Sequence, residues 1–147
     1  KQKQRLKIDY DNLFAEFKTI LKRELSKEDK KIINIAYNMG RKNKFLFAGD
    51  SVVSTPILIF DTYSSTVKEY AEGLKKLDKE DFELIFPGHF LRPIGKAILH
   101  DLITCADKIV EGTAKPEPID FSHMSSEPAF LFKYGKGNIA YNDKHIC

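Results

Sequence analysis

An α/β fold preceded by a helical hairpin is what this sequence predicts, and three observations carry the prediction. Charge divides unevenly along the chain: residues 1–44 hold 13 basic and 6 acidic side chains, whereas residues 45–147 hold 11 and 15. After residue 44, apolar stripes of helical period alternate with short continuous apolar runs of strand length. Two of those runs, "FLFAGD" and "ELIFPGH", end on a glycine followed by a side chain able to ligate a metal, Asp50 and His89. The change in charge places a boundary near Lys44, between a basic helical hairpin over 1–44 and an α/β part over 45–147.

In chain order, residues 11–25 predict an amphipathic helix with Leu13, Phe14, Phe17, Ile20, Leu21 and Leu25 on one stripe. "SKED" at Ser26 is a capping box that opens a second helix, whose apolar positions are Ile32, Ile33, Ala36, Tyr37 and Met39 and whose expected stop is Gly40. "KFLFAGD" reads as a buried strand. "VVSTPILIFDTYS" lacks a helical period and contains Pro56, so an irregular loop is expected. Ser64 or Ser65 is the expected cap of a helix striped by Val67, Tyr70, Ala71, Leu74 and Leu77. "DFELIFPGH" is a second buried strand. Pro93 is expected to begin a long helix, with Ile98, Leu99, Leu102, Ile103, Ala106, Ile109 and Val110 on its buried face and Gly112 at its end. "AKPEPID" reads as a linker loop, and "PAFLFKYGKGNIAYND" as a hairpin turning at Gly-Lys-Gly. Strands alternating with helices point to a layered α/β architecture.

With 147 residues, 42% hydrophobic and 12% aromatic, the chain suffices for one domain with a real core. No apolar run approaches the roughly 20 residues of a membrane span, and the polar start "KQKQRLKIDYDN" is unlike a signal peptide. Membrane partners are therefore not expected. Two cysteines, Cys105 and Cys147, make no disulfide framework; Cys105 reads as a buried thiol, and a reducing, cytoplasmic setting fits. The positive charge of residues 1–44 is read as a solvated outer face rather than a nucleic-acid surface. A nucleic-acid-associated protein led by that segment is the third-ranked reading. No Gly-x-Ser-x-Gly, Walker loop, Cys-x-x-Cys or dinucleotide fingerprint is present.

The chemistry concentrates at the two strand ends. A carboxylate following "FLFAG" is either a turn residue at the sheet edge or has a cation, because a buried, unpaired carboxylate costs several kcal/mol. Functional groups in α/β folds gather outside the carboxyl ends of strands, and glycine there permits sharp turns and close approach. Carboxylate and imidazole are ligands that zinc, manganese or iron accept. Tyr63, Phe90 and His123 are candidate pocket residues, His100 reads as a structural or surface residue, and His145, near the terminus, carries no signal.

"LFAGD", the capped helix containing "YAEGLKKL", and "LIFPGH", in that order, resemble the C-terminal half of the metallo-β-lactamase superfamily over residues 45–141. The resemblance implies an αββα sandwich with Asp50 as the aspartate bridging two metal ions and His89 as the last histidine ligand, on the second-metal side. It implies zinc, two ions in the complete site, with iron or manganese as alternatives. The implied activity is hydrolysis of an ester, thioester, lactam or phosphodiester in a small-molecule substrate, with metal-bound hydroxide as nucleophile. The family's His-x-His-x-Asp-His signature is absent, and all four histidines follow Asp50. The chain thus carries half a site. It is a fragment partnered by an N-terminal half or second chain, or a record lacking an intervening stretch with residues 1–43 as an insert, or a binding module that kept the fold and lost the metal. Either of the first two leaves the apolar faces of "FLFAG", "ELIF" and "AFLF" without part of their cover.

Overall fold

A computed structural model of the chain describes residues 24–60, 64–90, 92–122 and 127–147. The chain divides into two compact units, Lys1–Arg41 and Lys42–Cys147, close to the change in charge near Lys44. The helix expected over 11–25 falls almost wholly outside the described residues. Among the described residues no helix is long and apolar enough to cross a membrane.

Helix α1 (Lys27–Asn43) begins as its sequence requires. Ser26 Oγ accepts from the Asp29 amide at 3.0 Å, and Asp29 Oδ2 accepts from the Ser26 amide at 2.8 Å. Two amides that an α-helix leaves unpaired at its start are thereby satisfied. The helix continues through Gly40, because one interior glycine costs only about 1 kcal/mol relative to alanine. It stops where Lys44 takes a left-handed φ of 55°.

Among the described residues the second unit is an α/β arrangement of two sheets and two α-helices. One sheet holds β1 (Phe45–Gly49), β3 (Leu84–Pro87) and β4 (Ile94–Gly95) in the order β1-β3-β4, with β1 parallel and β4 antiparallel to β3. The other holds β2 (Ile57–Ile59), β5 (Glu117–Ile119), β6 (Ala129–Tyr134) and β7 (Gly137–Tyr141) in the order β2-β7-β6-β5; only β2 with β7 is parallel. Helices α2 (Val67–Leu77) and α3 (Ile98–Val110) lie between these strands in sequence.

Four further local expectations change. The stretch read as a loop after Asp50 contains β2, and Pro56 precedes the strand, where its missing N–H breaks no ladder. The "AKPEPID" stretch contains β5, with Pro118 tolerated because β5 is an edge strand. Helix α3 begins at Ile98, not at Pro93, because Ile94–Gly95 first pairs with β3. Thr66, not Ser64 or Ser65, caps α2: its Oγ1 accepts from the Glu69 amide at 3.1 Å, and Glu69 Oε2 accepts from the Thr66 amide at 2.9 Å. At the far end of α3, Gly112 does stop the helix. At φ 70° it lets its own amide bond Ile109 O at 3.1 Å and the Thr113 amide bond Lys108 O at 2.9 Å, a Schellman closure.

The predicted stripes of α2 and α3 form the core, where Val67, Leu99, Leu102 and Cys105 join Val52, Ile85 and Ile139 out of contact with solvent. Helix α3 lies against both α2 and the β6–β7 hairpin. A Cβ on Gly137 would meet the Asp101 backbone at 2.8 Å, so glycine allows the approach of hairpin to helix. In the β1–β3–β4 sheet, the period of two divides the side chains between faces. Leu46, Ala48 and Ile85 pack into the core. Phe45, Phe47, Leu84 and Phe86 share the opposite face, where Phe86 meets Phe45 at 4.9 Å and Phe47 at 5.4 Å between ring centres. Phe47 remains 59% exposed. On that face Leu84 is exposed as well, with Phe45 and Phe86 half-buried, whereas Phe130 and Phe132 of "AFLF" pack against the core.

Candidate functional site

Parallel pairing of β1 with β3 sets their carboxyl ends side by side, with Gly49 opposite Pro87 and an irregularity in the register just before it. Asp50 leaves the end of one strand and His89 leaves the end of its neighbour. Gly49, at φ 53°, is the first central residue of a turn closed by the Ser51 amide on Ala48 O at 3.1 Å. The Gly88 amide donates to Gly49 O at 2.7 Å and ties the two strand ends together. Gly88 must be small for a different reason from Gly49: a Cβ there would lie 2.5 Å from Asp50 Oδ1. His89 itself takes φ 60°, a left-handed conformation that costs a non-glycine residue about 1–2 kcal/mol. Strain of this kind persists where surrounding structure imposes it, and it clusters at functional positions.

The result is that His89 Nε2 and Asp50 Oδ2 approach to 3.4 Å, with their side chains 81% and 72% exposed. Asp50 is therefore an exposed turn residue, and the cost of burying a lone carboxylate does not arise. As an exposed ion pair the contact would contribute at most about 1 kcal/mol, and 3.4 Å is long for a hydrogen bond. The same 3.4 Å is the separation expected of two oxygen or nitrogen ligands on a tetrahedral ion with bonds of about 2.1 Å. In donor type, spacing and steric clearance the pair fits a divalent metal; in number it does not complete a site. Catalytic zinc takes three protein ligands, and among the described residues no group of three or more His, Cys, Asp or Glu side chains converges.

Phe90 follows His89 and is 41% exposed, while Tyr63 and His123 lie outside the described residues. His100 pairs with Asp78 Oδ1 at 3.3 Å on the surface, and His145 Nδ1 meets Asn142 Oδ1 at 2.8 Å near the chain end. Cys105 is a buried thiol, as expected; burial pushes its pKa up to about 12. One contact at the site was invisible in the sequence: Tyr70 Oη of α2 donates to Ser51 O at 2.7 Å, across 19 residues. Tyr70 was legible only as a member of the α2 stripe, because nothing local signals which backbone carbonyl its hydroxyl reaches. Compared with protein-family models, curated proteins and solved structures, the chain matches none of them.

Proposed function

We propose that this chain supplies part of the metal site of a hydrolase with a metallo-β-lactamase-like sandwich, with Asp50 and His89 as two of its ligands. The observation that supports this reading is the approach of Asp50 Oδ2 to His89 Nε2 at 3.4 Å, at the carboxyl ends of adjacent parallel strands. A bound zinc, manganese or iron ion acidifies water and polarises an ester, thioester, lactam or phosphodiester. The chain's own part is to hold a carboxylate and an imidazole on one point. β1 and β3 give that point its rigidity, and Gly88 keeps it clear. The remaining ligands come from beyond the described residues, on a further stretch of polypeptide or a second chain. The exposed aromatic face of β1 and β3 offers such a segment an apolar surface. A small-molecule substrate and a cytoplasmic setting complete the reading. A second reading, a binding module without the metal, draws on the same aromatic face.

Metal binding separates the two. Mn2+ titrated into the 147-residue chain should broaden the amide NMR signals of residues 48–51 and 88–90 first. Asp50→Ala and His89→Ala should each remove that focus while thermal melts stay near wild type. Broadening that is absent, or indifferent to both substitutions, favours the binding module. In the protein with its full ligand set, Asp50→Ala should abolish turnover.

A further inference from the structure

We propose that Tyr70 is a positioning residue for the metal-ligating carboxylate of Asp50; the inference rests on the reading of Asp50 and His89 as ligands. Three consecutive peptide groups around Asp50 are tied. Gly49 O accepts from the Gly88 amide at 2.7 Å, and the Ser51 amide donates to Ala48 O at 3.1 Å. Ser51 O accepts from Tyr70 Oη at 2.7 Å. The first two bonds belong to the strand ends themselves. The third is the tie to a separate rigid body, because α2 is anchored by Val67, Ala71 and Leu74, each no more than 3% exposed. The Tyr70 ring packs against the same core.

Ser51 is exposed, so water can satisfy its carbonyl when the phenol is absent. The hydroxyl is therefore not needed to rescue a buried acceptor. What it adds is direction: the peptide following Ser51, one beyond the peptide that follows Asp50, is held by a helix rather than by solvent. Burial raises the Tyr70 pKa, which keeps the phenol protonated and donating. Groups that orient a metal ligand without touching the metal typically alter metal affinity ten- to a hundredfold when removed.

The test is Tyr70→Phe in the 147-residue chain, probed with Mn2+ alone and read by the broadening of the amide signals of residues 48–51 and 88–90. The ring is retained, so the core is preserved, and a thermal melt checks the fold. Gly112→Ala is the matched control: it strains a φ of 70° at the far end of α3 and leaves the turn at Asp50 alone. Tyr70→Phe should weaken Mn2+ binding about tenfold, with the broadening still centred on the same residues, while Gly112→Ala binds as wild type. Wild-type affinity in Tyr70→Phe, alongside loss of binding in Asp50→Ala, overturns the role of Tyr70 and leaves the ligand reading standing. Equal weakening in Tyr70→Phe and Gly112→Ala also overturns it, since the effect would then follow stability alone. Unchanged binding in Asp50→Ala overturns both.

Discussion

Gly88→Ala is the substitution that most directly probes the geometry of the strand ends. The added Cβ would lie 2.5 Å from Asp50 Oδ1, and ordinary contact begins at 3.4 Å, so the carboxylate has to retreat by about 0.9 Å. Ligand positions at a metal tolerate about 0.2 Å. A retreat several times larger would take Asp50 out of the proposed coordination sphere, and Mn2+ affinity should fall at least about tenfold. Stability should change much less. Asp50 is exposed and its side chain can swing away, and the nearest backbone atoms, Gly49 C at 3.1 Å and Gly49 Cα at 3.4 Å, need to yield by at most a few tenths of an ångström. Overpacking of that size costs about 1 kcal/mol, part of which is offset by the lower entropy of alanine in the unfolded chain. Urea unfolding supplies the stability and Mn2+ broadening the affinity. In an Asp50→Ala background the Gly88→Ala cost should shrink, because its main steric partner is gone. Wild-type Mn2+ affinity in a folded Gly88→Ala chain would refute the reasoning, since the carboxylate would then not need the place it occupies.

Gly137→Ala presents the opposite case. Its Cβ would meet the Asp101 carbonyl carbon and oxygen at 2.8 Å and the Leu102 amide nitrogen at 2.9 Å, all of them helix backbone; a loss of about 2–3 kcal/mol is expected in urea, and a loss below about 0.5 kcal/mol would contradict it. Lys96→Met removes bonds to Asp78 O at 2.6 Å and Glu80 O at 2.8 Å and the ammonium 4.6 Å above the Phe82 ring, so a loss of about 1–2 kcal/mol is expected by the same measurement. Thr66→Ala breaks the capping box of α2 and should cost about 1 kcal/mol, with the α2 amides exchanging faster with solvent. Alkaline pH should destabilise the fold through Cys105: its pKa is raised from 9.0 to about 12, so the folded chain holds a proton that the unfolded chain releases. That contribution is whole below pH 9 and is lost as pH rises toward 12. Tyr70 and Tyr141, both raised by burial, add to the loss at higher pH. Stability that is flat from pH 8 to 11 would contradict this, and Cys105→Ala should flatten the onset.

The features legible in the sequence were those that a local pattern specifies. The stripes of α2 and α3 are set by the 3.6-residue period, so Val67, Ala71 and Leu74, and Leu99, Leu102 and Ala106, were assigned inward and are buried. The Ser26 box, the Gly112 stop and the β6–β7 hairpin rest on contacts within a few residues, and each was read correctly. The placing of a carboxylate or an imidazole after a glycine at two strand ends was also legible, as "FAGD" and "FPGH". Tertiary structure decided the rest, because strand pairing is non-local. Three-residue strands such as Ile57–Ile59 and Glu117–Ile119 are too short to display a period, and become strands only through β7 and β6. Pro93 had the right chemistry to open a helix, but ladder bonds to β3 claimed Ile94–Gly95 first. That β1 lies parallel to β3, bringing Asp50 within 3.4 Å of His89, and that Tyr70 reaches the Ser51 carbonyl, are properties of the packed core. A residue's spacing along the chain determines which face it shares, but only the assembled sheet and helix determine which distant group it meets.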